Sequence, residues 1–232
     1  DVRLALYCDT DLRRAEELRD TFGGGPATDD PNRVFSDPGI DAIYVCTHHD
    51  SHIRYAMAAA RAGKHVFMEK PLALSVDDCR ALGPVLERHP VLLMTGFKLR
   101  FFPLVDRMRE FIPKPVLQIA QICDERWPDA FWANDPVKGG GNVLSQGGHA
   151  MDLVCHLAPS RPIRIHAEGG NTTHPGLDIV DTLAVTLSFE DGSVASIVIA
   201  EVYCGDSGYP RIERIAELVR EKKITGISDL RD

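Results

Sequence analysis

The stretch AGKHVFMEKPL, residues 62–72, contains the pattern that decides the fold. Gly63 ends a run with helical spacing, residues 65–68 are a short apolar segment, and Glu69-Lys70-Pro71 follows directly. A helix that stops at glycine before a short buried strand is typical of α/β units. The polar tripeptide therefore falls at the carboxyl end of a predicted strand, which is where ligands bind in open α/β sheets.

The same alternation of strands and helices extends on both sides of this stretch. Continuous apolar runs, typical of strands buried on both faces, occur at residues 4–8, 42–46 and 91–95. Apolar residues at helical spacing separate them, at 12–22 before Gly23, after Asp50 or Ser51, and near 75–87. This order predicts an α/β fold with a doubly wound parallel sheet.

Beyond about residue 103 the pattern favours a different fold class. Four strands are predicted, at residues 116–123, 163–168, 182–189 and 194–202, with one helix at 143–157. Asp191-Gly192 is a strong hairpin signal between the last two strands, so we expect an open, mainly antiparallel sheet in an α+β domain. We place the first domain in residues 1–102, the second in 103–210, and an atypical helical tail in 211–232.

Composition and charge disfavour several classes of function. The 232 residues carry a formal net charge of −8, which disfavours nucleic-acid binding because phosphate recognition requires a basic face. No apolar run approaches the roughly 20 residues that cross a membrane. The six cysteines are scattered without a C-x-x-C pair, which favours reduced thiols in a cytoplasmic protein and disfavours a zinc site. They are Cys8, Cys46, Cys79, Cys123, Cys155 and Cys204.

Polar side chains follow two of the predicted strands. Asp9 ends the first strand, where a carboxylate can accept hydrogen bonds from the adenosine ribose of a dinucleotide and repel a 2′-phosphate, which favours NAD over NADP. Asp9 could equally be the N-cap of the next helix. The segment THHDSH, residues 47–52, follows the strand that ends at Cys46, and it could line the nicotinamide half of a cofactor. A metal site is the alternative, but adjacent His48 and His49 cannot easily chelate one ion.

Two further residues have the chemistry for proton and hydride transfer. Lys70 can donate a hydrogen bond to a substrate hydroxyl and stabilise alkoxide-like charge, or it can form a surface ion pair with Glu69. His149 lies at the start of the predicted helix, after a glycine-rich approach, and helical spacing brings it to one face with Ser145 and Asp152. It is a candidate acid/base group, with a purely structural histidine as the alternative.

Together and in this order, these motifs resemble the glucose-fructose oxidoreductase / inositol dehydrogenase / MocA (Gfo/Idh/MocA) family of oxidoreductases. The resemblance extends from Asp1 to about Cys204, and the string at residues 62–72 is highly specific to that family. The other matching residues are Asp9 with Arg14-Ala15, residues 41–47 with His52, Gly96-Phe97 with Arg100-Phe101, and Gly139-Gly140-Gly141 with His149 and Asp152.

The resemblance implies an incomplete Rossmann domain in residues 1–102 and an α+β domain in 103–210 whose open sheet often forms the oligomer interface. It implies a homo-oligomer that transfers hydride between NAD or NADP and a hydroxyl carbon of a sugar, cyclitol or similar polyol. Lys70 would orient the hydroxyl and His149 would take its proton. The implied cofactor-binding residues are Asp9, Arg14, Thr47, His48, His52, Glu69 and Lys70. The implied substrate-binding residues are Lys70, Arg100, Ser145, His149 and Asp152.

Three departures from the family pattern limit this expectation. The opening strand and its G-x-G-x-x-G turn, which hold the pyrophosphate, are expected upstream of Asp1. Ser145 stands where many members carry aspartate, so His149 lacks a charged partner, and His48-His49 replaces a proline-asparagine pair. The alternatives to the enzyme are therefore a non-catalytic protein of the same fold that senses nucleotide or sugar, or an inactive fragment.

The sequence after about Pro210 does not resemble this family. Residues 211–232 have an amphipathic helical pattern that ends at Gly226, and they resemble a short piece of the DNA gyrase A subunit. We interpret this tail as part of a chimeric reading frame, with a genuine divergent helix docked on the sheet as the alternative. No catalytic tyrosine region accompanies it, so we expect no topoisomerase activity.

Overall fold

The computed structural model describes residues 2–202, whose strands form three hydrogen-bonded sheets. Cys204 and the tail predicted for residues 211–232 lie outside the described residues. Among the helices that are described, none is long and apolar enough to cross a membrane.

The first part of the chain alternates strands and helices, which confirms the predicted α/β pattern. Strands β1 and β2 pair in parallel, and β3, β4 and β5 form a second parallel sheet in that order. Within residues 2–202 no strand ladder joins these two groups. The elements are β1 (Tyr7–Cys8), α1 (Leu12–Phe22), β2 (Ala27–Thr28), α2 (Pro31–Ser36), β3 (Ala42–Val45), α3 (His52–Arg61), β4 (His65–Met68), α4 (Val76–Arg88) and β5 (Leu93–Thr95).

The ends of α1 follow from local side-chain chemistry. The Asp11 carboxylate accepts a hydrogen bond from the Arg13 backbone amide at 3.1 Å, which satisfies one of the unpaired donors of the first helical turn. Gly23 ends the helix with φ of 70°, a left-handed conformation that glycine adopts without steric cost. The capping alternative considered for Asp9 is therefore wrong, because Asp11 is the N-cap.

Helix α3 packs closely on the β3–β5 sheet because its buried face is made of small side chains. Ala56, Ala59 and Ala60 are fully buried, and the first two belong to the apolar cluster that contains Val66 and Met68 of β4. Alanine has high helix propensity and lets a helix approach a sheet closely. This packing fixes β4, and with it the Glu69-Lys70-Pro71 segment, at the middle of the three-stranded sheet.

The second part of the chain forms a four-stranded mixed sheet in the order β6-β9-β8-β7. The prediction of a mainly antiparallel sheet is confirmed for β8, which is antiparallel to both neighbours, whereas β6 and β9 pair in parallel. Helix α7 covers one face through Ala150 and Val154, and the other face carries no helix within the described residues. The elements are α5 (Pro103–Phe111), β6 (Leu117–Glu125), α6 (Asn142–Ser145), α7 (Gly147–Leu157), β7 (Pro162–Gly170), β8 (Thr182–Phe189) and β9 (Val194–Val202).

Some predicted boundaries were wrong. The first strand is reduced to Tyr7–Cys8, and the helix predicted for 143–157 breaks at Gln146 into α6 and α7. The break brings Gly147 against β9, where an added Cβ would lie 2.5 Å from the Ile199 side chain. Strand β2 and helices α2 and α5 were not predicted, because β2 has two residues, α2 has six, and α5 buries only Val105.

The loop between β7 and β8 is held by one buried carboxylate. Asp181 is fully buried and accepts hydrogen bonds from the backbone amides of Thr172, Thr173 and His174, at 2.8–3.2 Å, and from the Thr182 hydroxyl. Burial alone would raise the pKa of this carboxyl, but the hydrogen bonds outweigh it and lower the pKa to about 2.

We expect Asp181→Asn to destabilise the protein by about 2 kcal/mol at neutral pH, because the lowered pKa means that folding favours the ionised form. Since the folded-state pKa lies below the unfolded value, this stability is present above about pH 4 and is lost as pH falls toward 2. Urea unfolding at several pH values measures it. Asp178→Asn, at an exposed position of the same loop, is the control. Equal stability of the two variants at pH 7 would contradict the assignment.

Candidate active site

A cleft of about 460 Å³ lies where the carboxyl ends of β3 and β4 meet α6 and the loop that follows β6. This is the edge at which open parallel sheets bind their ligands. The first part of the chain contributes Cys46, Thr47, His49, Glu69 and Lys70 to the lining. The second part contributes Trp127, Pro128, Phe131, Trp132, Ala133, Ser145 and Gln146.

Lys70 extends across this cleft from the end of β4. Its Nζ donates hydrogen bonds to the Ser145 carbonyl oxygen at 2.7 Å and to the Ser145 Oγ at 3.3 Å. Burial is the largest cause of a lowered pKa at Lys70, and the nearby Lys98 charge acts in the same direction. An ammonium has three N–H donors, so one remains for a ligand in the cleft.

Glu69 is held beside Lys70 by two hydrogen bonds. Its carboxylate accepts from the Tyr44 hydroxyl at 3.1 Å and from the Lys70 backbone amide at 3.3 Å. The charge of Glu69, together with burial, raises the pKa of the Cys46 thiol, so these two lining residues face each other closely. The surface ion pair considered for Glu69 and Lys70 does not occur among the ion pairs of residues 2–202.

His149 lies in the first turn of α7, one turn beyond Ser145, and is only 6% exposed. It is not among the residues that line the cleft, but its Nδ1 is buried without a hydrogen-bond partner. Burial, followed by the positive charges of Lys70 and Lys98, lowers the pKa of the imidazole. The ring is therefore neutral at pH 7 and able to take up a proton.

Arg100 and Asp152 bind each other. The Arg100 guanidinium contacts both oxygens of the Asp152 carboxylate, at 2.7 and 2.9 Å from Nε, and a further contact comes from Nη2. This bidentate pair fastens the short 3₁₀ turn Lys98–Phe101 to the middle of α7. Neither residue is among those that line the cleft, so in this arrangement the pair positions α7 and its His149.

Asp9 and Arg14 lie at the other parallel pair of strands and are not among the residues that line the cleft. The Asp9 Oδ1 accepts a hydrogen bond from the Asp11 backbone amide at 2.8 Å, and no hydrogen bond to Oδ2 occurs among the described residues. Arg14 is exposed on α1. Asp9 also raises the pKa of Cys46, which shows that the carboxyl ends of β1 and β3 lie near each other.

The three histidines of residues 47–52 face three different partners. The His48 ring stacks on Trp132 with centroids 4.7 Å apart, and the His49 Nδ1 lies 2.8 Å from the Gly139 carbonyl oxygen. His52 is fully buried, and its two ring nitrogens contact the carbonyl oxygens of Pro71 and Thr47. His52 therefore supports the cleft from beneath, and only Thr47 and His49 of this segment line it. No group of three His, Cys, Asp or Glu side chains in residues 2–202 could hold a metal ion.

The aromatic side of the cleft was missed by the sequence analysis. Trp127, Phe131 and Trp132 lie within the seven residues that follow β6, and this segment holds both tryptophans of the chain. That density of aromatic residues in a loop was the available signal. The loop is closed from behind by Gly139, where an added Cβ would lie 2.2 Å from the Ala133 carbonyl oxygen, so only glycine fits.

Comparison with known proteins identifies the family. Residues 1–97 match the Gfo/Idh/MocA model described as an oxidoreductase family with an NAD-binding Rossmann fold, and residues 115–217 match the Gfo/Idh/MocA C-terminal domain. The chain belongs to the Gfo/Idh/MocA oxidoreductase family.

Several Gfo/Idh/MocA relatives resemble this member over most of its length. Myo-inositol 2-dehydrogenase of Thermotoga maritima is 28% identical over 83% of this chain and 60% of its own, and D-xylose 1-dehydrogenase (NADP+) 2 of Haloferax volcanii has the same identity and coverage. Levoglucosan dehydrogenase in complex with NADH has the same fold, with a TM-score of 0.78 and 21% identity over 88% of this chain and 59% of that one. This member thus spans about 60% of the length of the curated relatives that it matches.

Proposed function

We propose that this chain carries the active site of an NAD(P)-dependent oxidoreductase, which transfers hydride between nicotinamide and a hydroxyl carbon of a sugar, cyclitol or similar polyol. The observation that supports it most is the Lys70 ammonium, which has one free donor in a cleft at the carboxyl ends of parallel strands. A neutral histidine, His149, lies close enough for the Lys70 charge to lower its pKa. The activities of the inositol and xylose relatives agree with this proposal.

The described residues fit two parts of a nicotinamide dinucleotide. Asp9, Thr47 and Glu69 follow β1, β3 and β4, and their oxygens suit the hydroxyls of ribose and the amide of nicotinamide. The partnerless Nδ1 of His149 is a buried acceptor or donor that a ligand would satisfy. Residues 2–202 contain no strand–Gly-rich turn–helix to cradle the pyrophosphate.

Lys70 and His149 have different proposed roles at the substrate hydroxyl. Lys70 donates its remaining N–H to the hydroxyl oxygen and stabilises the negative charge that grows there. His149, neutral at working pH, takes the hydroxyl proton and becomes an imidazolium. A bound nicotinamide would accept the hydride from the same carbon. The reverse direction uses the same groups with the proton returned from His149.

We also propose that a further parallel strand, with a Gly-rich turn, lies between β1 and β3 in the working enzyme. Both strands have an edge without ladder partners among the described residues, although their carboxyl ends lie near each other. These strands also leave large side chains uncovered, with Tyr44 of β3 60% exposed, which favours an additional strand between them. A doubly wound sheet uses that strand to deliver the pyrophosphate to a helix N-terminus.

We expect Lys70→Met and His149→Asn each to lower kcat about 100-fold or more, because each removes one group from the transition state. Reduction of NAD+ with myo-inositol or D-xylose, followed by nicotinamide absorbance, measures the rate. The matched controls are Lys114→Met, at an exposed position, and His89→Asn, at the end of α4. Full activity in either site variant would refute the assignment.

The assay uses both this chain and the same chain extended at its amino terminus by the opening strand and turn of the Thermotoga relative. Binding of NADH is measured alongside by nicotinamide fluorescence. If only the extended chain binds and turns over, this chain is the disabled part of an enzyme. If neither binds NADH, the cofactor assignment is wrong, and a sugar-sensing protein without catalysis becomes the better proposal. Ser145, which provides no carboxylate to His149, is the observation that favours that alternative.

The position of Asp9 also predicts a preference for NAD+ over NADP+. If Asp9 accepts the ribose hydroxyls, NAD+ should bind roughly tenfold or more tightly than NADP+, because the carboxylate repels a 2′-phosphate. Asp9→Ser should narrow this ratio, whereas Asp178→Asn should leave it unchanged. Titration calorimetry with both nucleotides on the extended chain measures it. Tighter binding of NADP+ to the unmodified sequence would overturn the role of Asp9.

We propose that the open face of the β6–β9 sheet pairs with a second copy of the chain. On this face Ile119, Ser196, Thr186 and His166 form one row across the four strands. Ile119 is 74% exposed, and Leu117 and Val198 on the same face are also exposed. Exposed aliphatic side chains on a sheet face without a covering layer mark a candidate interaction surface.

We expect Ile119→Glu to convert a dimer into a monomer, since a buried unpaired charge opposes association. Ile165→Glu is the matched control, because Ile165 is also exposed but lies on the opposite face of the sheet. Sedimentation velocity distinguishes the two. A monomeric unmodified chain, or equal dissociation of both variants, would contradict this interface.

The cytoplasmic location and the domain limits 1–102, 103–210 and 211–232 stay predictions. The five cysteines in the described part of the chain are free thiols, which agrees with a reducing compartment. Cell fractionation tests the location, and limited proteolysis tests the limits.

A further inference from the structure

A buried histidine links three elements beside the aromatic side of the cleft. His174, in the loop between β7 and β8, is only 1% exposed. Its Nδ1 lies 2.7 Å from an oxygen of Asp129, and its Nε2 lies 2.7 Å from an oxygen of the fully buried Glu201 side chain in β9. We refer to these three residues as the His174 cluster.

The two carboxylate partners of His174 favour its protonated form. An ionised carboxylate only accepts hydrogen bonds, so between two ionised carboxylates both ring nitrogens donate and the ring is an imidazolium. Burial on its own would lower the pKa of His174, and Arg126 acts in the same direction, but the hydrogen bonds to Glu201 and Asp129 outweigh them and raise it. A further charged neighbour is Asp181, whose carboxylate accepts a hydrogen bond from the backbone amide of His174.

The His174 cluster also holds the loop that forms the aromatic side of the cleft. The backbone amide of Trp127 donates to the same Glu201 oxygen that binds His174, at 3.1 Å. Arg126 donates to the Thr173 carbonyl oxygen at 3.1 Å and pairs with Asp129. The position of Trp127 just after β6 therefore depends on the two carboxylates that the His174 imidazolium binds.

We propose that His174 is a positioning residue for substrate binding, whose imidazolium holds Trp127 and Phe131 as the wall of the cleft that contains Lys70. This inference rests on the proposed oxidoreductase function for its catalytic consequence only. When His174 loses its proton, one ring nitrogen becomes an acceptor that faces a carboxylate oxygen, and that repulsion releases the loop. Lys70 and His149 are held by other contacts, so the loss affects binding of substrate and leaves the chemical step intact.

Tryptophan fluorescence tests the structural step directly, because both tryptophans of the chain lie in this loop. In a Trp132→Phe background, Trp127 is the only indole, and the ring contacts of His48 and His49 with Trp132 are removed. We expect one fluorescence transition, with a midpoint above the ordinary histidine value of 6.5.

Two variants in this background assign the transition to His174. His174→Gln keeps hydrogen-bonding groups but cannot gain a charge, so the transition should disappear. Glu201→Gln removes one carboxylate charge, so the midpoint should fall by roughly one pH unit or more. His89→Gln, in the other part of the chain, should change neither. A midpoint that is unaffected by Glu201→Gln, or a transition that persists in folded His174→Gln, would overturn the proposal.

Steady-state kinetics test how deprotonation of His174 affects substrate binding. If only the protonated form holds the wall, the competent fraction falls about tenfold for each pH unit above the midpoint, and KM for myo-inositol should rise by the same factor while kcat changes little. In His174→Gln, KM should be high at every pH. A KM that stays flat through the fluorescence midpoint would refute the proposal. Absence of turnover at every pH would instead count against the proposed function, and the fluorescence variants then decide this inference alone.

Discussion

The hydrogen bond from the Lys70 ammonium to the Ser145 carbonyl oxygen joins two parts of the chain that are 75 residues apart. Lys70 follows a central parallel strand, and Ser145 ends a short helix beside the mixed sheet. A charge in a partly buried cleft is costly unless it is paired or hydrogen-bonded, so this ammonium requires acceptors from the opposite side. The cleft surrounds this contact, and the residues that line it come from both parts of the chain.

A second connection joins the loop that follows β3 to the loop that follows β6. The His48 ring stacks on Trp132, and the His49 Nδ1 lies 2.8 Å from the Gly139 carbonyl oxygen. The backbone amide of Asp50 donates to the backbone carbonyl oxygen of Lys138. Imidazole rings provide both the stacking on Trp132 and the polar contact with Gly139. The histidine pair and the glycine at 139 therefore belong to one interface between the loop after β3 and the loop after β6.

Sequence reasoning succeeded where a local pattern sets the structure. Helix α1 begins and ends as its spacing and Gly23 predict, and strand β4 and the Lys70 position follow from the string at 62–72. The parallel pairing of β6 with β9 could not be predicted, because it joins strands about 75 residues apart and depends on which sheet edge is free. The same limit hid the His174 cluster, whose three members are neighbours only after folding.

Ser145 changes the electrostatics of the site as well as its hydrogen bonds. A carboxylate at this position would raise the pKa of both Lys70 and His149, because negative charge favours their protonated forms. With serine there, burial lowers the pKa of both groups, and the Lys70 charge lowers that of His149 further. A neutral His149 is then the larger fraction at neutral pH, although it is a weaker base than one paired with aspartate. Its Nδ1 is buried without a hydrogen-bond partner, so a ligand is needed to satisfy that atom. In the proposed mechanism His149 is therefore uncharged before the reaction and gains its proton during it.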